Sequence, residues 1–226
     1  SRMGTSELAD FLEQNFSKKT YTELSASQNK SLIQSSKCEA YDFDEITEYI
    51  FLQNKPSSAD AILLDRNRVY FVEFKSGFHR KMSRTNFDRT QCRCEKIDDI
   101  CDDYAKLMKR HLENIESELK ANLFQKTAES RWTLEYHLLP EAYKNTTHPD
   151  LQIFYIIVTD KVKEDPIDAM GQIMDDLAKI HNEDNFYERM EQSVKHLYCE
   201  SRYRKKAFYD KVEVYSVQDF EMFFLD

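Results

Sequence analysis

SSADAILLDRNRVYFVEFKSG, residues 57–77, is the stretch on which the fold turns. Two apolar runs, AILL at 61–64 and VYFV at 69–72, flank Asp65-Arg66-Asn67-Arg68, the pattern of a β-hairpin. With Arg66-Asn67 as a two-residue turn, Asp65 faces Arg68 and Leu64 faces Val69, and the residue numbers of each opposed pair sum to 133. Carried to the open end, this register sets Asp60 opposite Glu73. Side chains alternate along a strand, so Glu73 and Lys75 project from one face. Cross-strand partners share a face at a Cβ separation of about 5 Å. Two carboxylates and an ammonium are therefore expected to converge at the end of an apolar hairpin.

Opposed carboxylates repel and weaken a sheet, and buried charge costs free energy without compensation. A divalent cation between Asp60 and Glu73 removes that penalty. Mg²⁺, or Mn²⁺ in its place, takes one or two protein carboxylates and completes its shell with water and phosphate oxygens. The backbone carbonyl of Phe74 lies between Glu73 and Lys75 and is a further candidate ligand. Lys75 can orient or deprotonate a water, or stabilise charge on a reacting phosphoryl group. Asp65 reads as turn chemistry. The alternative for the whole set is a salt-bridge ladder at the sheet's edge.

Outward from the hairpin, the chain alternates helical and strand patterns. Thr5 can cap a helix carrying Leu8, Phe11, Leu12 and Phe16, and the Ser-rich stretch 18–37 reads as loop. Asp42 followed by Glu45 has capping-box spacing and opens a helix through about Leu52. Apolar positions recur at helical steps from about 86 to 124. WTLEYHLL, 132–139, reads as a strand, and LQIFYIIV, 151–158, as a buried strand. Asp165-Pro166 starts a helix, another covers about 185–199, and KVEVYSV, 211–217, is a closing strand. This order predicts an α/β fold, a small mixed sheet flanked by helices with added C-terminal helices. It fits a single domain over 1–226, with a core at roughly 41–160 and an elaboration at 161–226.

The 226 residues are 41% hydrophobic, enough for a sizeable core, and no apolar run reaches the roughly 20 residues needed to cross a bilayer. No secretory leader is read, and the five cysteines form no disulfide framework, so a reducing, cytoplasmic setting is expected. Cys94 and Cys101 share a helix side and look like core. The net charge of −9 argues against a general nucleic-acid binder. Residues 79–96 and 195–211, however, each hold six Lys/Arg against two acidic residues, leaving −17 for the rest. Two basic segments on an acidic chain suit a phosphate backbone held in one place, or simply two solvated faces. His79, Arg80, Lys81 and Arg84, just past Lys75, are placed to contact phosphates beside a reacting bond, with Gln91 at the start of the next helix as a further contact.

Asp60, a hairpin, and then Glu73-Phe74-Lys75 resemble the signature of the PD-(D/E)xK nuclease superfamily, in particular its resolvase-like and RecB-like members. The resemblance implies a restriction-endonuclease-like core and Mg²⁺-dependent hydrolysis of phosphodiester bonds, DNA ahead of RNA. It assigns metal binding to Asp60 and Glu73 and assistance to the attacking water to Lys75. Pro56 is not adjacent to Asp60, so the literal Pro-Asp pair is absent. Many members add a Glu from the first helix. Glu45 borders the apolar side of 42–52 and is the choice for this metal ligand, its capping role being the alternative; Glu7 or Glu13 would replace it on the N-terminal helix. A homodimer is left open. Two further readings stand beside the nuclease: an inactive nuclease-like fold that binds nucleic acid or protein, and an acidic mimic of DNA.

Overall fold

The computed structural model describes residues 5–27, 30–34, 36–76, 121–147, 149–159 and 208–224. In chain order the described elements are α1 (Ser6–Asn15), β1 (Lys18–Thr20), α2 (Tyr21–Leu24), β2 (Ala26–Ser27), β3 (Lys30–Ser31), β4 (Glu39–Asp42), α3 (Phe43–Ile50), β5 (Ala61–Asp65) and β6 (Arg68–Lys75). There follow the helical residues 121–142, called α4, then β7 (Gln152–Thr159), β8 (Lys211–Ser216) and α5 (Val217–Phe224). Six strands form one sheet in the order β1-β4-β5-β6-β7-β8, and β2 and β3 make a separate ribbon.

The sheet is mixed. β1, β4, β5 and β6 pair antiparallel, whereas β6, β7 and β8 run parallel. The hairpin has the expected register, from Asp65↔Arg68 to Ala61↔Val72. Its alternation divides the core in two. Ile62, Val69, Phe71, Tyr155 and Ile157 pack on one face with Leu8 and Leu12 of α1, Phe43 and Ile46 of α3, and Leu123, Leu134 and Leu138 of α4. Ala61, Val72, Ile156 and Val158 face the other way, against Tyr21 and Phe220. Each fully buried Leu or Phe contributes roughly 1.5–3 kcal/mol, so α1, α3 and α4 are held mainly by these apolar stripes.

Several local expectations are corrected. Residues 18–37 are not a loop: β1 pairs with β4 through Lys18↔Tyr41, Lys19↔Ala40 and Thr20↔Glu39. Charged edge strands carry no apolar alternation and are made by their neighbour, which is also how sheets blunt their edges. β4 supplies the strand that the sequence pattern did not reveal between α1 and Asp60.

Thr5 does not cap α1. Its N–H and hydroxyl both donate to the Arg66 carbonyl, at 2.7 and 2.8 Å, tying the helix start to the hairpin turn. Residues 132–139 are helical, with a π-turn at Leu134–Leu138. Trp132, Leu134, Tyr136 and Leu138 alternate like a strand, but Ser130, Leu134 and Leu138 are buried at helical spacing while Trp132 and Tyr136 are exposed. A helix, α5, follows β8, which therefore does not close the fold. The helices expected at 165–199 lie outside the described residues.

Candidate metal centre

The open end of the hairpin is built by a change of bonding partner. The β5–β6 ladder stops at Ala61↔Val72. One step on, the Phe74 N–H donates to Asp60 Oδ2 at 2.7 Å, and the Asp60 carbonyl accepts from Phe43 N at 3.2 Å. The Asp60 side chain thus takes a backbone donor that the strand end would otherwise leave unpaired. The N–H and C=O of one strand residue point the same way across a ladder, so the Phe74 carbonyl is directed to the Asp60 side. Glu73 lies on the core face beyond Phe71, with only 1% of its side chain exposed. This is the carboxyl end of β6 and of parallel β7, the end at which open α/β sheets bind ligands.

Lys75 meets Glu73 Oε1 at 2.6 Å, as the shared-face register requires. A second ammonium, Lys126 of α4, reaches the same Oε1 at 2.8 Å and Asp60 Oδ1 at 3.3 Å. Lys126 is 66 residues from Asp60 in sequence, and the sequence reading missed it by ending the helix at 124. Three contacts dock α4 here: Glu129 accepts from Ser57 N–H, Ser130 Oγ accepts from Ala59 N–H at 2.9 Å, and the Tyr209 hydroxyl donates to the Thr127 carbonyl at 2.6 Å. One signal was available in sequence. Leu123, Thr127, Ser130 and Leu134 mark a buried helical line, and Lys126 borders it.

The electrostatics follow from this crowding. Burial, and then the charge of Glu73, push the Asp60 carboxyl up to about 7 against the pull of Lys126, the Phe74 N–H and Lys75. With 28% of the Asp60 side chain exposed, water access moderates that shift. For Lys126, burial lowers the ammonium pKa, but the carboxylates of Glu73 and Asp60 outweigh it and leave the group above its ordinary value. Burial and then the Glu73 charge raise the hydroxyl of Tyr155 on β7 well above its usual range. Glu73 Oε2, the Tyr155 hydroxyl and the Thr159 hydroxyl are buried without a hydrogen-bond partner at bonding geometry among the described residues.

The other expected site residues are placed differently. Glu45 does not join the pair: its carboxylate meets Lys19 at 2.9 Å, while its N–H is capped by Asp42 Oδ1 at 3.0 Å. The reciprocal half of the capping box gives way to the Lys19 ion pair. The neighbouring carboxylate on α3 is Asp44. It accepts from Ser58 Oγ, pairs with Lys55 at 3.1 Å and feels the charge of Lys126. Glu7 accepts from Ser6 Oγ on α1, and Glu13 is exposed there. His79, Arg80, Lys81, Arg84, Gln91, Cys94 and Cys101 lie outside the described residues.

Among the described residues, no three His, Cys, Asp or Glu side chains gather into a metal cage. What is present is a carboxylate pair bridged by Lys126, with Glu73 Oε2 buried and, among the described residues, without a partner at bonding geometry. That donor set fits Mg²⁺, which is satisfied by one or two carboxylates and completes its shell with water. It does not fit a closed tetrahedral zinc site. Also among the described residues, no helix is long and apolar enough to cross a membrane. No family model, curated protein or solved structure matches the chain.

Proposed function

We propose that the chain is a Mg²⁺-dependent nuclease of the PD-(D/E)xK type, acting on DNA ahead of RNA. The observation that carries this reading is the convergence of Asp60, Glu73 and Lys75 at the carboxyl end of β6, with the Glu73 side chain buried. The succession α3, antiparallel β5–β6, α4 and parallel β7 supports a restriction-endonuclease-like core. Asp60 Oδ1, Glu73 and the Phe74 carbonyl would hold the metal, which when bound supplies a Lewis acid for the phosphoryl oxygen and acidifies a water. Lys75, anchored by Glu73, donates from its Nζ to the attacking water and orients it. Phe74 N–H holds Asp60 in place from behind. Residues 79–84 would grip the phosphates on either side of the cut bond.

The test is an assay on plasmid, single-stranded DNA and RNA with Mg²⁺ or Mn²⁺. Cleavage that disappears in Asp60→Ala, Glu73→Ala and Lys75→Ala, with unchanged circular dichroism, supports the reading. Absence of cleavage and of metal binding in the wild type overturns it.

One observation favours a second reading, an inactive binding module on the same fold: Lys126 already neutralises the carboxylate pair. That module would bind nucleic acid without Mn²⁺ binding at Asp60.

A further inference from the structure

With both carboxyls ionised, the charges at the open end of the hairpin balance. Two carboxylates, Asp60 and Glu73, face two ammoniums, Lys75 and Lys126, at 2.6–3.3 Å. Adding a dication to this set would leave a net charge of +2 in a place where Glu73 is 1% exposed. Charge of one sign in such surroundings is strongly disfavoured unless compensated. One lysine must therefore withdraw, or an anion must enter with the metal.

The two lysines are not equivalent. Lys75 follows Glu73 on the same strand, pairs with Glu73 and with no other carboxylate among the described residues, and leaves the position between the carboxylates free. Lys126 bridges Asp60 Oδ1 and Glu73 Oε1, which is where a shared cation belongs. It enters from α4, and its side chain is 21% exposed, so the ammonium can swing toward solvent while the helix stays docked through Ser130 and Tyr209.

We infer that Lys126 is the resting counter-ion of the Asp60/Glu73 pair, an internal cation that a divalent metal displaces and that then binds an oxygen of the substrate phosphodiester. The inference rests on the metal-dependent reading above and gives it a regulatory consequence. Metal and nucleic acid load together, because phosphate supplies the negative charge that the freed ammonium and the incoming dication both require. By linkage, each raises the affinity of the site for the other. Lys126 thereby acts as a phosphate-binding residue of the loaded site and as a guard against metal loading without substrate.

The experiment is calorimetric titration of Mn²⁺ into the wild type, Lys126→Met and Lys126→Arg at pH 8 without nucleic acid. The expected result is roughly tenfold or tighter binding in Lys126→Met, the lower end of what one charge at close range does to a neighbouring ionic equilibrium. Lys126→Arg should bind as weakly as the wild type. In the wild type, a phosphorothioate single-stranded DNA oligonucleotide should tighten Mn²⁺ binding, and this gain should shrink in Lys126→Met.

Equal affinity in the wild type and Lys126→Met would overturn the role of Lys126 and leave the metal site standing. No Mn²⁺ binding in any of the three, with or without the oligonucleotide, would remove the metal-dependent reading and this inference with it. Should Lys126→Met not fold, reductive methylation of the wild type read by mass spectrometry decides. Lys126 should be protected without metal and become reactive with Mg²⁺, and unchanged reactivity refutes displacement.

Discussion

The two ends of the β5–β6 hairpin each bring two charged residues together, and these have opposite fates. At the turn, Asp65 faces Arg68, both exposed and of unlike charge. At the open end, Asp60 and Glu73 carry like charges and sit against α4, with Glu73 buried. Solvent makes the first pair nearly neutral for stability. Packing makes the second unfavourable until Lys75, Lys126 and the Phe74 N–H answer it. Spacing is common to both ends, and burial separates a turn from a candidate centre.

The comparison breaks most sharply on catalysis. Glu73→Gln should lower Mg²⁺-dependent cleavage by roughly a thousandfold or more, whereas Asp65→Asn at the other end should leave the rate within about twofold, both read from initial rates on plasmid DNA. If the two variants lose activity alike, the open end has no special chemistry.

Next in size is stability without metal. Lys126→Met leaves Asp60 and Glu73 without their shared cation. Breaking a buried pair costs several kcal/mol, and the partial exposure of Lys126 reduces this to about 2 kcal/mol, measured by urea denaturation in the presence of a chelator.

The third expectation is a pH slope confined to the open end. The folded-state pKa of Asp60, about 7, lies above its ordinary 3.8, so the folded protein holds this proton more tightly than the unfolded chain. That contribution is complete below about pH 4 and is lost as pH rises through about 7. Without metal, the Tm of the wild type relative to Asp60→Asn should therefore fall across this interval. A flat difference would mean that Asp60 titrates normally.

The smallest effect is at the turn. Arg66 sits at φ 52°, a left-handed conformation held by Thr5 on its carbonyl. Arg66→Gly should relieve that strain and stabilise the protein by about 0.5 kcal/mol, visible as a small rise in Tm with no change in cleavage.

Legibility in the sequence follows the same division. The hairpin register could be counted because its pairing is local: a two-residue turn and strict alternation leave one alignment that buries Ile62, Val69 and Phe71 together. LQIFYIIV was equally plain, since a continuous β-branched and aromatic run fits only a buried strand, found at Gln152–Thr159. Glu45 was misplaced because a helical wheel finds an apolar side but not the neighbour: Lys19 on β1 claims it. Residues 132–139 satisfied both periods, and the docking of α4 chose the helix.

By itself, then, the sequence determined the hairpin, its register, the shared face of Glu73 and Lys75, and an α/β order. Only the tertiary structure decided that β1 is an edge strand, that Glu45 pairs with Lys19, and that Lys126 lies between the carboxylates. The physical reason is range. Strand alternation and turn length act over a few residues and leave their mark in the order of side chains. An ion pair between residues 60 and 126 exists because the apolar face of α4 packs on the sheet; the residues around Lys126 mark the buried side of the helix but not the partner it meets.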